Sequence, residues 1–411
     1  MRKLFLIILS LATIITNAQT DLIITGKTYT NSDETWNGVE IPRSQPVRLQ
    51  FRNNSITSGN NLGYMLLAGD EGPTENDNNL KGAVITGNQL VWNGTDLESI
   101  THGIFTGHNT NVLIKYNNLF HVPMGLIRKS GNNMADDGGG VAYNIVRNGA
   151  VCMVVKGISN VKIYNNTFYT ERTLEQTWRP LIQVYTNTDN GKYSVAHGTK
   201  IYNNILYTKF RTPSISVEDQ ESLKGLECDY NLYWCESGTP MFIVNGNNLT
   251  FAEWQQLGYD AHSVVMNPDF RDMTSFIPRA RLDYGTPLGP GWAQGLSVNA
   301  TWGTGDPATA MQSGNWQVGA VIYGEAATPS SNIEIYPNPV RNYFIIKNTP
   351  ADNLPEIIRI YDLNGRLCLE KRLETSFLER INVRLSSGVY ILNVTLGTTG
   401  NKHVQKIVVV R

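Results

Sequence analysis

Short apolar stretches recur between residues 51 and 235, and in each of them hydrophobic residues occupy every second position. In NVKIYNN, Val161 and Ile163 alternate with Lys162 and Tyr164, and two asparagines follow. A period of two is typical of a β-strand with one buried face. Asparagine favours a turn, because it tolerates left-handed backbone and hydrogen-bonds to its neighbours. The pattern therefore predicts a short strand that ends at a corner.

The same pattern returns at intervals of 34, 30, 26, 22, 38 and 27 residues. A period that varies in this way is typical of a solenoid of short strands with loops of different lengths. Stacked asparagines at equivalent corners would hydrogen-bond along the column. The alternative is a jelly roll, whose strands are more evenly spaced. We predict that the column contains Asn54, Asn88, Asn118, Asn144, Asn166, Asn204 and Asn231.

This repeat resembles the right-handed parallel β-helix of the pectin-lyase type. The stretch LTFAEWQQLGYDAHSVVMNPDF (249–270) and the later GNWQVGAVIYG (314–324) resemble the closing segment of exported bacterial β-helix proteins. In those proteins a short helix and two final segments, here NPDF and VGA, cap the open end. The resemblance implies an all-β chain with a β-helix over residues 19–325.

A second pattern begins after a linker of small and polar residues at 326–331. Alternating strands separated by PNP, LNG and SSG turns predict a small antiparallel β-sandwich over residues 332–411. Its segments YPNP (336–339), DLNG (362–365), LSSGVY (385–390) and KIVV (406–409) resemble the type A C-terminal sorting domain of the type IX secretion system of Bacteroidetes. The resemblance implies export across the outer membrane by that machinery, removal of the domain, and release or attachment of the cargo at the cell surface. A carbohydrate-binding sandwich is the alternative.

The first 18 residues have the pattern of a signal peptide. Arg2 and Lys3 precede an apolar run from Leu4 to Ile15, and small residues at positions 16 and 18 suit cleavage before Gln19. A transmembrane anchor is the alternative, but the run is short for a bilayer. We therefore expect an exported chain whose mature part has no transmembrane segment.

Charge and cysteine content narrow the class of function. The chain has 34 basic and 35 acidic residues, which gives no electrostatic footprint for nucleic acid or for an anionic membrane. Four cysteines without metal-ligand spacing predict neither a zinc site nor a disulfide framework. Cys228 and Cys235 are either a disulfide pair or two thiols in the core.

The stretch from residue 120 to 140, FHVPMGLIRKSGNNMADDGGG, loosely resembles the site region of polysaccharide lyase family 6. That family uses a lysine base on one coil and a basic element on the next. The resemblance implies Lys129 as base and Lys156 as the cation of the next coil. Arg128, as a neighbouring cation, is a further catalytic candidate. Arg147 and His121 would bind substrate.

The chemistry of uronate β-elimination suits this set of residues. It needs a base near the working pH and cations that stabilise an enolate-like transition state. A lysine among other cations loses its proton more easily. Arg128 and Lys129 are neighbours, however, and neighbours in a strand face opposite sides. A solvated basic edge of a coil is the plain alternative.

Other candidates lie in loops. Trp178 and Arg179, in TERTLEQTWRP, could form an aromatic and cationic wall for a sugar. Asp136 and Asp137 are candidates for a calcium site or a glycosidase carboxylate, so calcium is left open as a cofactor. We expect an extracellular polysaccharide and the type IX machinery as partners. The function is then degradation of an acidic polysaccharide, or alternatively glycan binding by a surface rod through Trp178 and Tyr185, or glycoside hydrolysis.

Overall fold

The structure is a computed structural model. It describes residues 20–31, 39–41, 47–59, 63–69, 80–95, 99–130, 138–172, 179–191, 193–288, 312, 315–323, 332–336, 338–349, 355–362, 366–373, 378–396 and 402–410. The predicted signal peptide, the predicted linker, Asp136, Asp137 and Trp178 lie outside these residues.

Three long sheets run along the first part of the chain, and each coil contributes one strand to each sheet. Strands are numbered in chain order. Sheet A holds eight parallel strands: β1 (Thr20–Thr25), β4 (Val47–Arg52), β7 (Val84–Thr86), β10 (Leu113–Lys115), β13 (Gly140–Ala142), β16 (Lys162–Tyr164), β19 (Lys200–Tyr202) and β22 (Glu227–Asp229).

Sheet B lies next along each coil. Its nine strands are β2 (Thr28–Asn31), β5 (Ser55–Ser58), β8 (Gln89–Trp92), β11 (Asn118–Phe120), β14 (Ile145–Arg147), β17 (Thr167–Thr170), β20 (Ile205–Thr208), β23 (Leu232–Cys235) and β26 (Val264–Val265).

Sheet C completes the coil. Its nine strands are β3 (Val39–Ile41), β6 (Tyr64–Ala68), β9 (His102–Gly107), β12 (Met124–Lys129), β15 (Val151–Lys156), β18 (Ile182–Tyr185), β21 (Pro213–Val217), β24 (Met241–Val244) and β25 (Asn247–Thr250). Only its last pair, β24 and β25, is antiparallel.

This arrangement confirms the all-β parallel β-helix. Its core is made of in-register columns, because the side chain above each inward residue is the inward residue of the next coil. One such column on sheet A contains Ile85, Ile114, Val141, Ile163 and Ile201, all fully buried. The hydrophobic alternation in the sequence therefore reflects these columns, because the inward residue of each strand is a member of one.

The predicted asparagine column exists, but it contains Asn117 where the sequence suggested Asn118. The side-chain amide of each ladder asparagine donates to the side-chain oxygen of the next, at 2.9 to 3.0 Å, through Asn54, Asn88, Asn117, Asn144, Asn166, Asn204 and Asn231. The ladder ends at the buried Asp260, which accepts from Asn231 at 3.1 Å.

The one-residue error has a backbone cause. The residue before each ladder position has a positive φ, for example Asn53, Asn165 and Asn203. In KYNN the residue in this conformation is Tyr116, with φ 56°, so Asn117 is the ladder residue and Asn118 begins β11. Tyrosine is uncommon in left-handed backbone. The sequence pattern suggested that the first asparagine of the pair has this conformation, and the corner was therefore predicted one residue late.

A short helix covers the last coil. Helix α2 (Phe251–Gln256) starts with a capping box between Thr250 and Glu253. The buried Trp254 stacks on Phe242 of β24, with ring centroids 5.0 Å apart and planes 8° apart. The other helices in the described chain are α1 (Gln220–Leu223) and a 3-10 turn at Asp189–Gly191.

The two final segments do not cap the open end, as the resemblance had implied. Phe270 and Ala320 pack instead with Tyr207 and Leu232 against the outer face of sheet B. Trp316 packs with Tyr116 and Tyr143 on the outer face of sheet A. The described residues between 266 and 323 are therefore called here the strap, because they lie along the side of the β-helix.

The C-terminal part is a pair of antiparallel sheets, as predicted. One holds β27 (Asn332–Tyr336), β28 (Tyr343–Thr349) and β31 (Leu378–Asn382); the other holds, in spatial order, β30 (Leu367–Arg372), β29 (Pro355–Asp362), β32 (Gly388–Leu396) and β33 (Lys402–Val409). Their inward residues form a separate core that includes Phe344, Ile360 and Leu392. In the described part of the chain, no helix has the length and apolarity that a membrane crossing requires.

Candidate functional site

The outer face of sheet C carries a short polar column. Lys129 lies in register with Gly107 on one side and with Lys156 on the other, and Lys156 is followed by Tyr185. Alternation along each strand turns these residues outward, while Arg128 and Val155 point into the β-helix. The column brings two predicted cations and one predicted aromatic together.

Asp189 joins the two lysines. Its Oδ2 lies 2.9 Å from Lys129 Nζ and 2.7 Å from Lys156 Nζ. Burial alone would raise the pKa of Asp189, but hydrogen bonds from Lys156 and Lys129 and their positive charge lower it. Lys129 is only 6% exposed, so its ammonium is covered by this contact. The carboxylate of Asp189 therefore stays ionised at neutral pH and accepts hydrogen bonds from both lysines.

The loop that carries Asp189 is fixed across three coils. Asn187 Nδ2 donates to Ser130 O at 2.7 Å, and Ser194 Oγ donates to Gly157 O at 2.6 Å. Asn187 and Ser194 also pair through their backbones. These bonds hold residues 187–191 and 193–194 over the ends of β12 and β15, so that they form one wall of a cleft.

The cleft has a volume of about 490 Å³ and lies beyond the ends of β15 and β18. This volume is in the usual range for small-molecule sites. Among the described residues, four carboxylates and one ammonium line it, together with two tyrosines, two threonines and a glutamine: Lys156, Tyr185, Thr186, Thr188, Asp189, Tyr193, Glu218, Asp219, Gln220 and Glu221. The lining is acidic and aromatic.

The second wall is held by Asp219, the N-cap of α1. Its carboxylate accepts from the N–H and hydroxyl of Thr186 at 2.7 and 2.9 Å, and from those of Ser222 at 2.8 and 3.1 Å. Burial opposes ionisation, yet these four hydrogen bonds lower the pKa of Asp219. Asp219 is thus a negatively charged structural group that fixes both walls.

The two tyrosines differ in exposure. Tyr193 is 58% exposed and offers an accessible ring at the mouth of the cleft. Tyr185 is half-buried, with Lys156 Nζ 5.2 Å from its ring centroid. Burial and the charges of Glu218 and Asp189 raise the pKa of Tyr185 well above its usual value. Its hydroxyl therefore stays protonated and can donate a hydrogen bond.

Arg128 does not share a surface with Lys129. It is fully buried inside the β-helix, where its guanidinium donates to Thr106 Oγ1 at 2.6 Å, to Asn109 O at 2.6 Å and to Gly138 O at 2.8 Å. These contacts tie two coil corners together. A ligand on the outer face of sheet C cannot reach Arg128.

The predicted substrate-binding residues do not lie together either. Arg147 stacks over Phe120 at 4.5 Å and donates to Thr274 O at 3.1 Å, so it holds the strap on sheet B. His121 stacks on Trp92 and lies 3.0 Å from the Asn148 amide, at a coil corner. Arg179 is half-buried before β18. None of the three lines the cleft.

The described residues contain no group of three or more His, Cys, Asp or Glu side chains placed to hold a metal ion. The four cysteines are free thiols. Burial raises the pKa of Cys228, as does the nearby charge of Asp260.

Of the residues that line the cleft, the sequence singled out Lys156 and Tyr185 but not Asp189, Tyr193 or Asp219. Asp189 and Tyr193 lie in a loop without motif or periodicity, and Asp219 lies in a second loop of the same kind. Their convergence depends on how two loops fold back on the coils. The sequence offered one signal, which is that Asp189 lies four residues before Tyr193 between two strands of the repeat.

Comparisons with known proteins inform one part of the chain. Residues 334–410 match the family described as the secretion system C-terminal sorting domain. The type IX sorting domain inferred from the motifs is thereby confirmed, and with it export to the cell surface or the extracellular space. No family match supports a pectin lyase or a family 6 lyase. Comparison with curated proteins gives no match, and comparison with solved structures gives none.

Proposed function

We propose that this chain is a secreted glycan-binding β-helix and that the cleft between residues 187–194 and 218–221 holds an uncharged sugar chain. The observation that carries the proposal is the acidic and aromatic lining of the cleft. Carboxylates accept hydrogen bonds from sugar hydroxyls, and a tyrosine ring offers an apolar face with a polar edge. The sorting domain supports an extracellular ligand, since it indicates export.

The charge of the lining also selects against acidic polysaccharides. Among the described lining residues, four carboxylates face one ammonium. Asp189 is paired with Lys156 and Lys129, and Glu221 is paired with Lys224, so Glu218 and Asp219 supply the remaining negative charge. A polyuronate would bring further negative charge to this cleft and would be repelled. We therefore expect binding of neutral polysaccharides, and weak binding of polyuronates.

The test is a binding titration with the chain lacking only residues 1–18, against neutral glucans and mannans and against polyuronates. Tyr193→Ala should weaken binding of the preferred neutral glycan about fivefold, because one aromatic contact contributes about 1 kcal/mol. Tyr284→Ala is the matched control, since Tyr284 is 37% exposed but lies on the strap. Equal affinities for the two variants and the parent chain would reject the cleft as the site.

Polyuronate β-elimination is a second candidate, supported by the closeness of the Lys129 and Lys156 ammonium groups around Asp189 Oδ2. Substrate would have to displace Asp189 before either lysine loses a proton. Under this hypothesis Lys129→Ala abolishes formation of unsaturated uronate ends, measured by ultraviolet absorbance. The control Lys162→Ala, at a half-buried lysine on sheet A, retains it. A parent chain that gives no absorbance with any polyuronate excludes this candidate. New reducing ends without absorbance would instead indicate hydrolysis.

A further inference from the structure

The four segments that mark the sorting domain in the sequence are far apart in the chain but meet at one end of the sheet β30–β29–β32–β33. Asp362 pairs with Tyr390, and Tyr390 pairs with Ile407. Gly388 and Val389 pair with Val409 and Val408. Asp362, the first residue of DLNG, therefore lies next to LSSGVY, and LSSGVY lies next to KIVV on the adjacent strand.

The YPNP segment joins them through one side chain. Asn338 Nδ2 donates to Lys406 O at 3.0 Å, and Asn338 Oδ1 accepts from Val408 N at 2.9 Å. Next to it, Val340 pairs with Val409 through the backbone. Asn338 thus acts as a strand partner for β33 and covers the edge of its last part.

At this same end, the outer face of the sheet is apolar. Leu367, Tyr361 and Ile391 are directly paired across three strands, and Val389 and Val408 are paired beside them. Leu367 is 47% exposed, and the other four are half-buried. These five residues, called here the apolar patch, all lie outside the domain core, whose members point to the opposite face.

The other end of the same face is polar. There Arg359 pairs with Glu370 and Asn393, and Ile357 pairs with Arg372 and Thr395. The outer face of an antiparallel sheet is ordinarily polar where water covers it. A contiguous apolar patch rimmed by polar residues marks an interaction surface.

Cations stand at both ends of the apolar row. Lys406, the in-register neighbour of Ile391, is exposed, and Arg366 precedes Leu367 with its side chain 81% exposed. Arg366 also contacts Asp362 at 3.2 Å. A protein that covers the patch should therefore present an apolar surface flanked by carboxylates.

We propose that the apolar patch is the surface by which the secretion machinery recognises this chain, through a protein component with an apolar, acid-rimmed docking face. The sorting function belongs to this domain. Val389 of LSSGVY and Val408 of KIVV are members of the patch, Asp362 of DLNG directly follows Tyr361, and Asn338 of YPNP covers the edge strand β33. The proposal concerns export alone and does not depend on the glycan site.

The test measures export of the full chain in a bacterium that has a type IX system, as the ratio of protein outside the cell to protein retained in the periplasm. Ile391→Thr and Leu367→Ser should each lower this ratio at least about fivefold, because central interface contacts dominate binding. Ile357→Thr is the matched control, the same change on the same face at the polar end. Lys406→Glu should also reduce export, and Arg372→Glu should not.

Thermal unfolding of each purified variant separates recognition from folding. The proposal is supported if Ile391→Thr and Leu367→Ser fold but stay in the periplasm, while Ile357→Thr is exported normally. If Ile391→Thr does not fold, the exposed Leu367→Ser decides. Normal export of both patch variants overturns the proposal, as does equal retention of Ile357→Thr. A fall in unfolding temperature for Ile391→Thr with normal export would show instead that the patch packs on the chain itself.

Discussion

The ladder asparagines show how much one amide can do at a corner of the β-helix. Asn117 donates to Ile85 O, Lys115 O and Asn144 Oδ1, and its own side-chain oxygen accepts from the N–H and the amide of Asn88. All these contacts except the one to Lys115 are buried, where an unpaired donor or acceptor is costly. One residue therefore satisfies the corners of three coils.

Neighbouring asparagines give a direct test. Asn117→Ala should lower the free energy of unfolding by about 3 kcal/mol, since it leaves several buried groups unsatisfied. Asn118→Ala should cost about 1 kcal/mol or less, because that side chain is buried outside the ladder. Urea titrations of the two variants measure the difference. Equal costs would contradict the assignment of the ladder to Asn117.

At the residue scale, the sequence predicts which residues point into the β-helix better than it predicts which outward residues come together on its surface. Alternation and repeated asparagines fix the inward columns, because every coil must bury the same face. The backbone conformation of Tyr116 does not follow from residue preference, and so the corner was placed one residue late. Arg128 and Lys129 face opposite sides, as alternation along a strand predicts. The partner of Lys129, however, is Asp189, which lies in a loop 60 residues later that no local pattern relates to Lys129.

At the scale of elements, helix α2 protects the end of the β-helix. Trp254 lies against Phe242 and donates its indole N–H to Asp260 at 2.6 Å. Tyr233 also donates to Asp260, at 2.7 Å. The helix, the last full coil and the end of the ladder therefore share one buried carboxylate.

Trp254→Ala should lower the free energy of unfolding by about 3 to 5 kcal/mol, as expected for loss of a buried tryptophan and its hydrogen bond. The same variant should aggregate more readily, because it uncovers a strand end. Leu257→Ala, at a position that is 52% exposed, is the control and should change little. Chemical denaturation and light scattering measure both effects. A Trp254→Ala chain as stable and as soluble as the control would contradict the capping role.

The final segments show why the role of an element is harder to predict than its existence. The NPDF and VGA stretches were recognised, but a terminal strand can pack on the end or on the side of a coil with the same alternation. Packing on the side is decided by the aromatic outer face of sheet B, where Tyr169 and Tyr207 meet Phe270 and Phe276. That face is visible in the sequence only once the register of the coils is known.

At the scale of the whole molecule, the protein is held without disulfides. Cys152, Cys228 and Cys235 are buried, and Cys368 is partly exposed. In the native protein we expect one thiol per chain to react rapidly with an aromatic disulfide reagent, and four after denaturation without reductant. Burial, which raises the pKa of Cys152 and Cys228, also protects them. Two reactive thiols after denaturation would indicate that Cys228 and Cys235 are paired.

The asparagine ladder has a direction, and this bears on how such a chain can change in length over evolution. Each rung accepts a hydrogen bond from one neighbour and donates one to the next, so an extra coil copied between any two rungs would find suitable partners on both sides. Asp260 is different, because it accepts from Asn231, Tyr233 and Trp254. A coil added beyond it would meet no amide to extend the series. Duplication can therefore add coils within the β-helix but not beyond its capped end.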